Sequence, residues 1–446
     1  MTIENIPGGI DRRTFMRIVS ITGVGGLVFP KKLLSGLAPL DLARVVIIED
    51  SSATSGLSID ADVVQSMMDC GIMRLTDMYD VGEAWKSIFP GISETSVISI
   101  KVNCLNHSLP THPETASAVA EGLKQMSFGG TPFPENNIVI FDRWDSDLSS
   151  SGYTLNTSAT GVRCFGTQTG PGYSGGGYSV ETYDVCGQTK RLSTIVTEMV
   201  DYIVNVSVLK NHTVAGVTLC LKNHYGTCNN PDAVMNNIHG NHCDPCIPEL
   251  NALSPIRDKQ VVNICDALFG IATGGPTGNP QFAENKLIIS QDPVAVDYCG
   301  REILDAHSCN TIGISHHVDT AAGAPYYLGT NDPAQMDVVT ITDAAGIERG
   351  GAGPNGLVLM QNHPNPFSER TDISFSASRP EYITLTVFDS EGRRIRRLMD
   401  GTVQAGRHQV PWDGLNDAGR RVAGGVYFCQ LKANGFEKAI IMQLVR

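Results

Sequence analysis

The sequence predicts an α/β domain, a mainly parallel sheet with flanking helices, followed by a small all-β sandwich. Three observations predict this. The chain has 446 residues, more than one ordinary core accommodates. Between about 44 and 350, apolar β-rich runs alternate with helical stretches, the pattern of a parallel sheet covered by helices. From Gly356 onward the texture changes to short alternating strands separated by turn residues, the pattern of an antiparallel sandwich. The expected organisation is residues 1–43 as an export signal and spacer, 44–350 as the central domain, and 351–446 as a linker and sandwich.

At the N-terminus, Asp11-Arg12-Arg13-Thr14-Phe15-Met16-Arg17 resembles a twin-arginine export signal, although Asp11 stands where Ser or Thr is usual. The mildly apolar run from Ile18 to Pro30 is well short of the roughly 20 residues that span a bilayer as a helix. Gly36-Leu37-Ala38 offers a small-x-small cleavage site. The expectation is a removed signal and no membrane span in the mature chain, with the export machinery as a partner. Export places the protein in the periplasm, outside the cell or on its surface.

In the central domain, strands are expected at Ser96–Ile100, Ile138–Phe141, Tyr202–Leu209, Val261–Cys265 and Leu287–Ile289, and helices at 59–70, 113–126 and 293–305. Asp292-Pro293 supplies a cap and a first-turn proline for the last helix. Lys101-Val-Asn103 ends the first strand, Lys210-Asn211-His212 ends the strand at 202–209, and Lys222-Asn223-His224 ends the apolar run Val217–Leu221. Residues 44–355 contain only eight lysines, and three of them occupy these positions. In open α/β sheets ligands bind beyond the carboxyl ends of strands. Lysine offers a point charge and asparagine directed hydrogen bonds. Together they suit an anionic small molecule, with Asp266, Asp292 and Asp297 adding acid–base or metal-binding capacity. A bland alternative is that these polar side chains merely organise loops.

Twelve cysteines are scattered along the chain, too few for a disulfide scaffold. His239, His242, Cys243 and Cys246 bring His and Cys donors within eight residues. Such donors suit zinc, iron or an iron–sulfur centre, and the same cysteines would equally form a disulfide in an exported protein. Gly172-Tyr-Ser174-Gly-Gly176 formally fits a nucleophile elbow but lies in a glycine-rich loop, without the strand–turn–helix that motif needs.

The order Lys101-x-Asn103, the doubled Lys-Asn-His, His239 to Pro245, Ile264 to Leu268, Gly274-Gly275-Pro276 and Ser290 to Asp297 resembles domain of unknown function 362, over roughly 95–305. Some members carry ferredoxin modules, but this chain lacks a four-cysteine ferredoxin run. The resemblance therefore implies a site and no reaction. Asn362 to Phe367, Trp412 to Gly419 and Gly424 to Phe428 resemble the Ig-like domain of flagellar hook-capping proteins and of type IX sorting tails. That resemblance implies an Ig-like sandwich and sorting machinery as a partner.

Residues 44–355 carry 16 basic against 34 acidic side chains, about −18, out of a whole-chain charge of −13. An acidic body of this kind excludes nucleic acid as a partner, which needs a basic stripe. Three readings follow: an exported domain binding an anion, with catalysis left open; a metal or iron–sulfur redox protein built on His239 to Cys246; or a structural cell-surface protein.

Overall fold

The computed structural model describes residues 42–446 except 79, 169–176, 230–237, 343–356 and the single positions 361, 363, 378, 391, 405, 434, 435 and 446. The export signal, the Gly172–Gly176 motif and the interdomain boundary lie outside the described residues.

Nine strands make the central sheet: β1 (Ala43–Glu49), β2 (Ile98–Lys101), β3 (Ile138–Phe141), β4 (Arg163–Cys164), β5 (Tyr202–His212), β6 (Gly216–Thr218), β7 (Gln260–Ile271), β8 (Phe282–Ser290) and β9 (Met336–Thr342). Their order is β9-β1-β8-β7-β5-β2-β3-β4, with β6 paired to β5. β5 pairs in parallel with β7 and β2, and β2, β3 and β4 continue in parallel. Only β8 in that row, and the short β6, run antiparallel to their neighbours. The expected mainly parallel sheet is therefore observed.

Strands β2 and β3 are buried at every position, as strands covered on both faces must be. Successive residues alternate between two cores. Val46, Ile100, Val204 and Ile289 pack with the helices α1 (Ala61–Thr76), α2 (Val81–Ile88) and α3 (Pro113–Lys124). Val45, Val139, Ile203 and Ile288 pack on the other face with the short α4 (Cys220–Asn223) and α5 (Pro293–Ala306). Asp60 caps α1 by accepting from the amides of Asp62 and Val63. Asp292 caps α5 by accepting from Val294 and Ala295, satisfying amides that the first turn leaves without partners.

The sheet order reverses direction beside β2. From β2 the chain steps through β3 to β4 on one side, then returns to place β5 and β7 on the other. Such a reversal opens a crevice at the carboxyl ends of the two central strands, here β2 and β5.

The C-terminal sandwich has a three-stranded sheet of β10 (Val358–Leu359), β11 (Thr371–Ala377) and β14 (Gly406–Trp412). Its second sheet has β12 (Glu381–Asp389), β13 (Arg394–Val403), β15 (Gly425–Ala433) and β16 (Phe436–Leu444). All pairings are antiparallel. Trp412, Phe375, Leu385 and Met442 form its own fully buried core.

Candidate cleft at the strand reversal

Lys101 closes β2 with its side chain 1% exposed. A buried ammonium needs a counter-ion and full hydrogen bonding, and Asp142, the residue after β3, supplies both at 2.8 Å. Lys101 Nζ also donates to the Val102 carbonyl at 2.6 Å and to Asn223 Oδ1 at 3.3 Å. Asp142 accepts from the amides of Cys104 (2.6 Å) and Arg143 (2.8 Å). One ion pair thereby ties the ends of two neighbouring strands.

Behind it runs a chain of buried asparagines. Asn223 Nδ2 donates to Asn205 Oδ1 on β5 at 2.8 Å and to the Lys101 carbonyl at 3.2 Å. Asn205 Nδ2 donates to Asn263 Oδ1 on β7 at 3.1 Å. Lys210, fully buried on β5, donates to Asn103 Oδ1 at 2.9 Å and to the Leu109 carbonyl at 3.4 Å. Burial, reinforced by the charges of Lys222 and Lys101, lowers the Lys210 pKa to about 7.

The second Lys-Asn-His run does not end a strand. Its Lys222 and Asn223 belong to α4, because Asp297 on α5 accepts from the amides of Cys220 (2.6 Å) and Leu221 (3.1 Å) and nucleates a helical turn there. Burial pushes the Asp297 carboxyl up to about 7. The first run also differs from expectation, since β5 continues through His212.

Lys101, Asn103, His212, Lys222 and Asn223 line a cleft of about 640 Å³, counting its open mouth. Lys222 Nζ lies 3.8 Å from the centre of the Tyr225 ring and 3.4 Å from His239 Nε2. Tyr225 Oη meets His239 Nδ1 at 2.8 Å. His212 Nδ1 accepts from the amides of Val214 and Ala215, both at 3.1 Å, which leaves its ring proton on Nε2. Burial, with Lys222 and His239 adding to it, drives the His212 pKa down to about 2.

The other expected ligand residues do structural work away from the cleft wall. Asn211 Oδ1 accepts from the Gly275 amide at 2.7 Å, and its Nδ2 donates to Thr311 at 3.3 Å. A Cβ at position 275 would lie 2.3 Å from the Asn211 carbonyl oxygen, so the glycine permits this approach. His224 is buried between Thr227 and Gln260. Asp266 is held by His112 Nδ1 (2.8 Å), the His112 amide (2.9 Å) and Thr115 (2.9 Å). Burial opposes its charge, yet His112 and these hydrogen bonds prevail and lower its pKa. Asp292 caps α5 and also accepts from the Thr330 amide.

Among the described residues, the four expected metal donors do not gather into one shell. Cys246 is joined to Cys186 in a disulfide, so in this form it has no thiolate to offer. His242 Nδ1 lies 2.7 Å from the Val214 carbonyl. His239 joins the cleft wall, and Cys243 is buried. Among the described residues, no three His, Cys, Asp or Glu side chains converge as a metal shell.

Sequence reasoning missed Asp142, Asp147, Arg143, Trp144, Thr218 and Tyr225 in the lining. Asp142 had a usable signal, because it follows an apolar strand run as Lys101 does. Asn205 and Asn263 also did, being polar residues inside otherwise apolar strands.

Residues 98–302 match the family described as Domain of unknown function (DUF362), and residues 367–435 match the FlgD Ig-like domain. The first match contains all eleven expected ligand residues. No curated protein matches the chain. Among solved structures, dimeric latent PorU from Porphyromonas gingivalis is 18% identical, with a TM-score of 0.18 over 21% of this chain and 10% of that one. FlgD from P. aeruginosa is 18% identical, with a TM-score of 0.17 over 20% of this chain and 74% of that one. A Thermotoga maritima protein is 10% identical, with a TM-score of 0.32 over 57% of this chain and 60% of that one. The chain thus spans a tenth of the length of PorU.

Proposed function

We propose that the cleft beyond β2 and β5 binds an anionic small molecule, and that the protein does so outside the cytoplasm. One observation carries the first part. Among the described lining residues, Lys101, Arg143 and Lys222 outnumber Asp142 and Asp147, an excess of one positive charge in a body of about −18. The Lys101–Asp142 pair neutralises itself, and Lys222 and Arg143 face only Asp147 among the remaining charged lining residues. Donors fixed by packing surround these two cations, which is how a pocket selects an anion rather than merely attracting one.

The test is a thermal-shift and calorimetric screen of acetate, citrate and inorganic phosphate against the full chain. An anion that binds only the folded state stabilises it by about 2.7 kcal/mol at a hundred times its Kd. Lys222→Met keeps the apolar stem and removes the charge. It should weaken the bound anion about tenfold or more while changing the stability of the free protein by less than about 1 kcal/mol. Lack of binding by every anion, or unchanged affinity in Lys222→Met, would sink the reading.

Export is supported by the twin-arginine-like run, by the FlgD Ig-like match and by the Cys186–Cys246 disulfide, since disulfides persist in oxidising compartments. Replacing Arg12 and Arg13 with Lys should retain the protein in the cytoplasm, read by cell fractionation. Unchanged export would assign another route.

A further inference from the structure

The cleft has two chemically distinct ends. At one end is the β5–β6 hairpin, where Lys210 pairs with Thr218 and His212 with Gly216. Side chains two apart on a strand, and those directly opposite, share a face, so His212 and Thr218 are neighbours on it. His212 turns Nδ1 to the hairpin backbone, and Nε2–H is left as the donor for the cleft. Thr218 is 5% exposed, lines the cleft, and its Oγ1 is buried without a hydrogen-bond partner among the described residues. A buried hydroxyl left unpaired costs on the order of 1–3 kcal/mol, and a ligand oxygen would satisfy it. Lys222 adds its charge at the same wall.

The other end adds exposed apolar side chains to the charged Arg143 and Asp147. Leu105, just past β2, is 61% exposed, and Trp144, just past β3, is 39% exposed; both line the cleft. Trp144 carries the Arg143 guanidinium 5.0 Å from its ring. The other tryptophans, Trp85 and Trp412, are fully buried. In the sheet order β6-β5-β2-β3, neighbouring strands lie about 4.8 Å apart, so β3 is roughly 10 Å from β5. That separation matches a ligand with an oxyanion at one end and a ring at the other.

Resting on the anion reading above, we infer that the cleft takes an aromatic oxyanion, a carboxylate or phosphate ester. Its charged oxygens meet His212, Thr218 and Lys222, and its ring lies against Trp144 and Leu105. Both donors at the oxyanion end other than Lys222 are neutral. Selectivity for an oxygen that accepts several hydrogen bonds therefore comes from geometry as well as from charge.

The experiment compares phenyl phosphate with inorganic phosphate, and 3-phenylpropionate with acetate, by calorimetry on the full chain, together with tryptophan emission. The aromatic member of at least one pair should bind about tenfold or more tightly than its plain partner, the gain expected from burying a ring. It should also perturb the emission of Trp144. Trp144→Ala and Leu105→Ser should each shrink that advantage, whereas His212→Phe should weaken the plain and the aromatic anion alike. The two pairs separate phosphate from carboxylate as the preferred head group. Equal binding within both pairs, or an advantage that survives Trp144→Ala, would overturn the inference and leave the anion reading standing. Binding by none of the four compounds would overturn both.

Discussion

Acidification from pH 7 to pH 5 should cost this protein about 2 kcal/mol of stability, because three histidines are buried in their neutral form. Burial is the leading cause for each, driving His212 to about 2 and both His224 and His317 to about 3. In the unfolded chain each would titrate near 6.5. Between these values the unfolded state binds more protons, so the stability contributed is complete above pH 6.5 and is lost as pH falls towards 2–3. The slope is about 1.4 kcal/mol per pH unit for each ring, or roughly 6 kcal/mol for the three at pH 5. Asp297 acts in the opposite sense. Its carboxyl, raised to about 7, takes up a proton in the folded state first and returns about 3 kcal/mol by pH 5. Burial also raises Asp69 to about 6, which returns about 1 kcal/mol more, so the expected net loss is about 2 kcal/mol, measured by urea denaturation at pH 7, 6 and 5. Asp297→Asn should steepen it. His317, fully buried with neither ring nitrogen hydrogen-bonded among the described residues, is the diagnostic position. His317→Leu should remove about a third of the histidine slope without loss at pH 7, since an unsatisfied polar group goes with it. A flat profile in the parent protein, or an unchanged slope in His317→Leu, would contradict this account.

The residue types in the cleft were legible in the sequence; their duties were not. Lys101, Asn103, Lys222 and Asn223 do come together, because strand ends of a parallel sheet converge at a reversal of strand order. Nothing local reveals that the Lys101 ammonium is taken by Asp142, 41 residues later. Lys222-Asn223-His224 looked like a second strand end because the preceding run is apolar. The helical turn there depends on Asp297, 77 residues from Cys220. The Cys243-Asp-Pro-Cys246 spacing likewise suits a metal or a disulfide equally, and the actual partner, Cys186, lies 60 residues upstream. In the sandwich, the alternating runs Ile373–Ala377, Ile383–Phe388 and Val426–Leu431 mark β11, β12 and β15. Alternation gave no signal for the arginine-rich β13, whose Arg396 and Arg397 pair with Asp413 and Asp400 at the surface.

The same pairings divide the three lysines of the sequence pattern by function, and Lys101→Met is the variant that shows it. Asp142 is 8% exposed at its side chain and faces the Lys101 ammonium at 2.8 Å. Replacing Lys101 leaves that carboxylate buried with the amides of Cys104 and Arg143 but without a counter-charge. Breaking a buried pair from one side typically costs about 3–5 kcal/mol. It also releases Asn223 Oδ1 from one of its donors, loosening the contact between α4 and the end of β2. Lys222 differs: its Nζ stands over the Tyr225 ring and beside His239 Nε2, contacts whose loss costs about 1 kcal/mol. Removing both members should recover much of the loss, because two apolar side chains of similar size replace a buried pair at little cost. The double variant Lys101→Met with Asp142→Leu should therefore be more stable than Lys101→Met alone, giving a coupling of about 1–3 kcal/mol in the cycle. Urea denaturation at pH 7 with an unchanged m-value measures it. A loss below about 1 kcal/mol in Lys101→Met, or strict additivity in the double variant, would mean that the pair is solvated and that the strand ends are held by the asparagine chain instead.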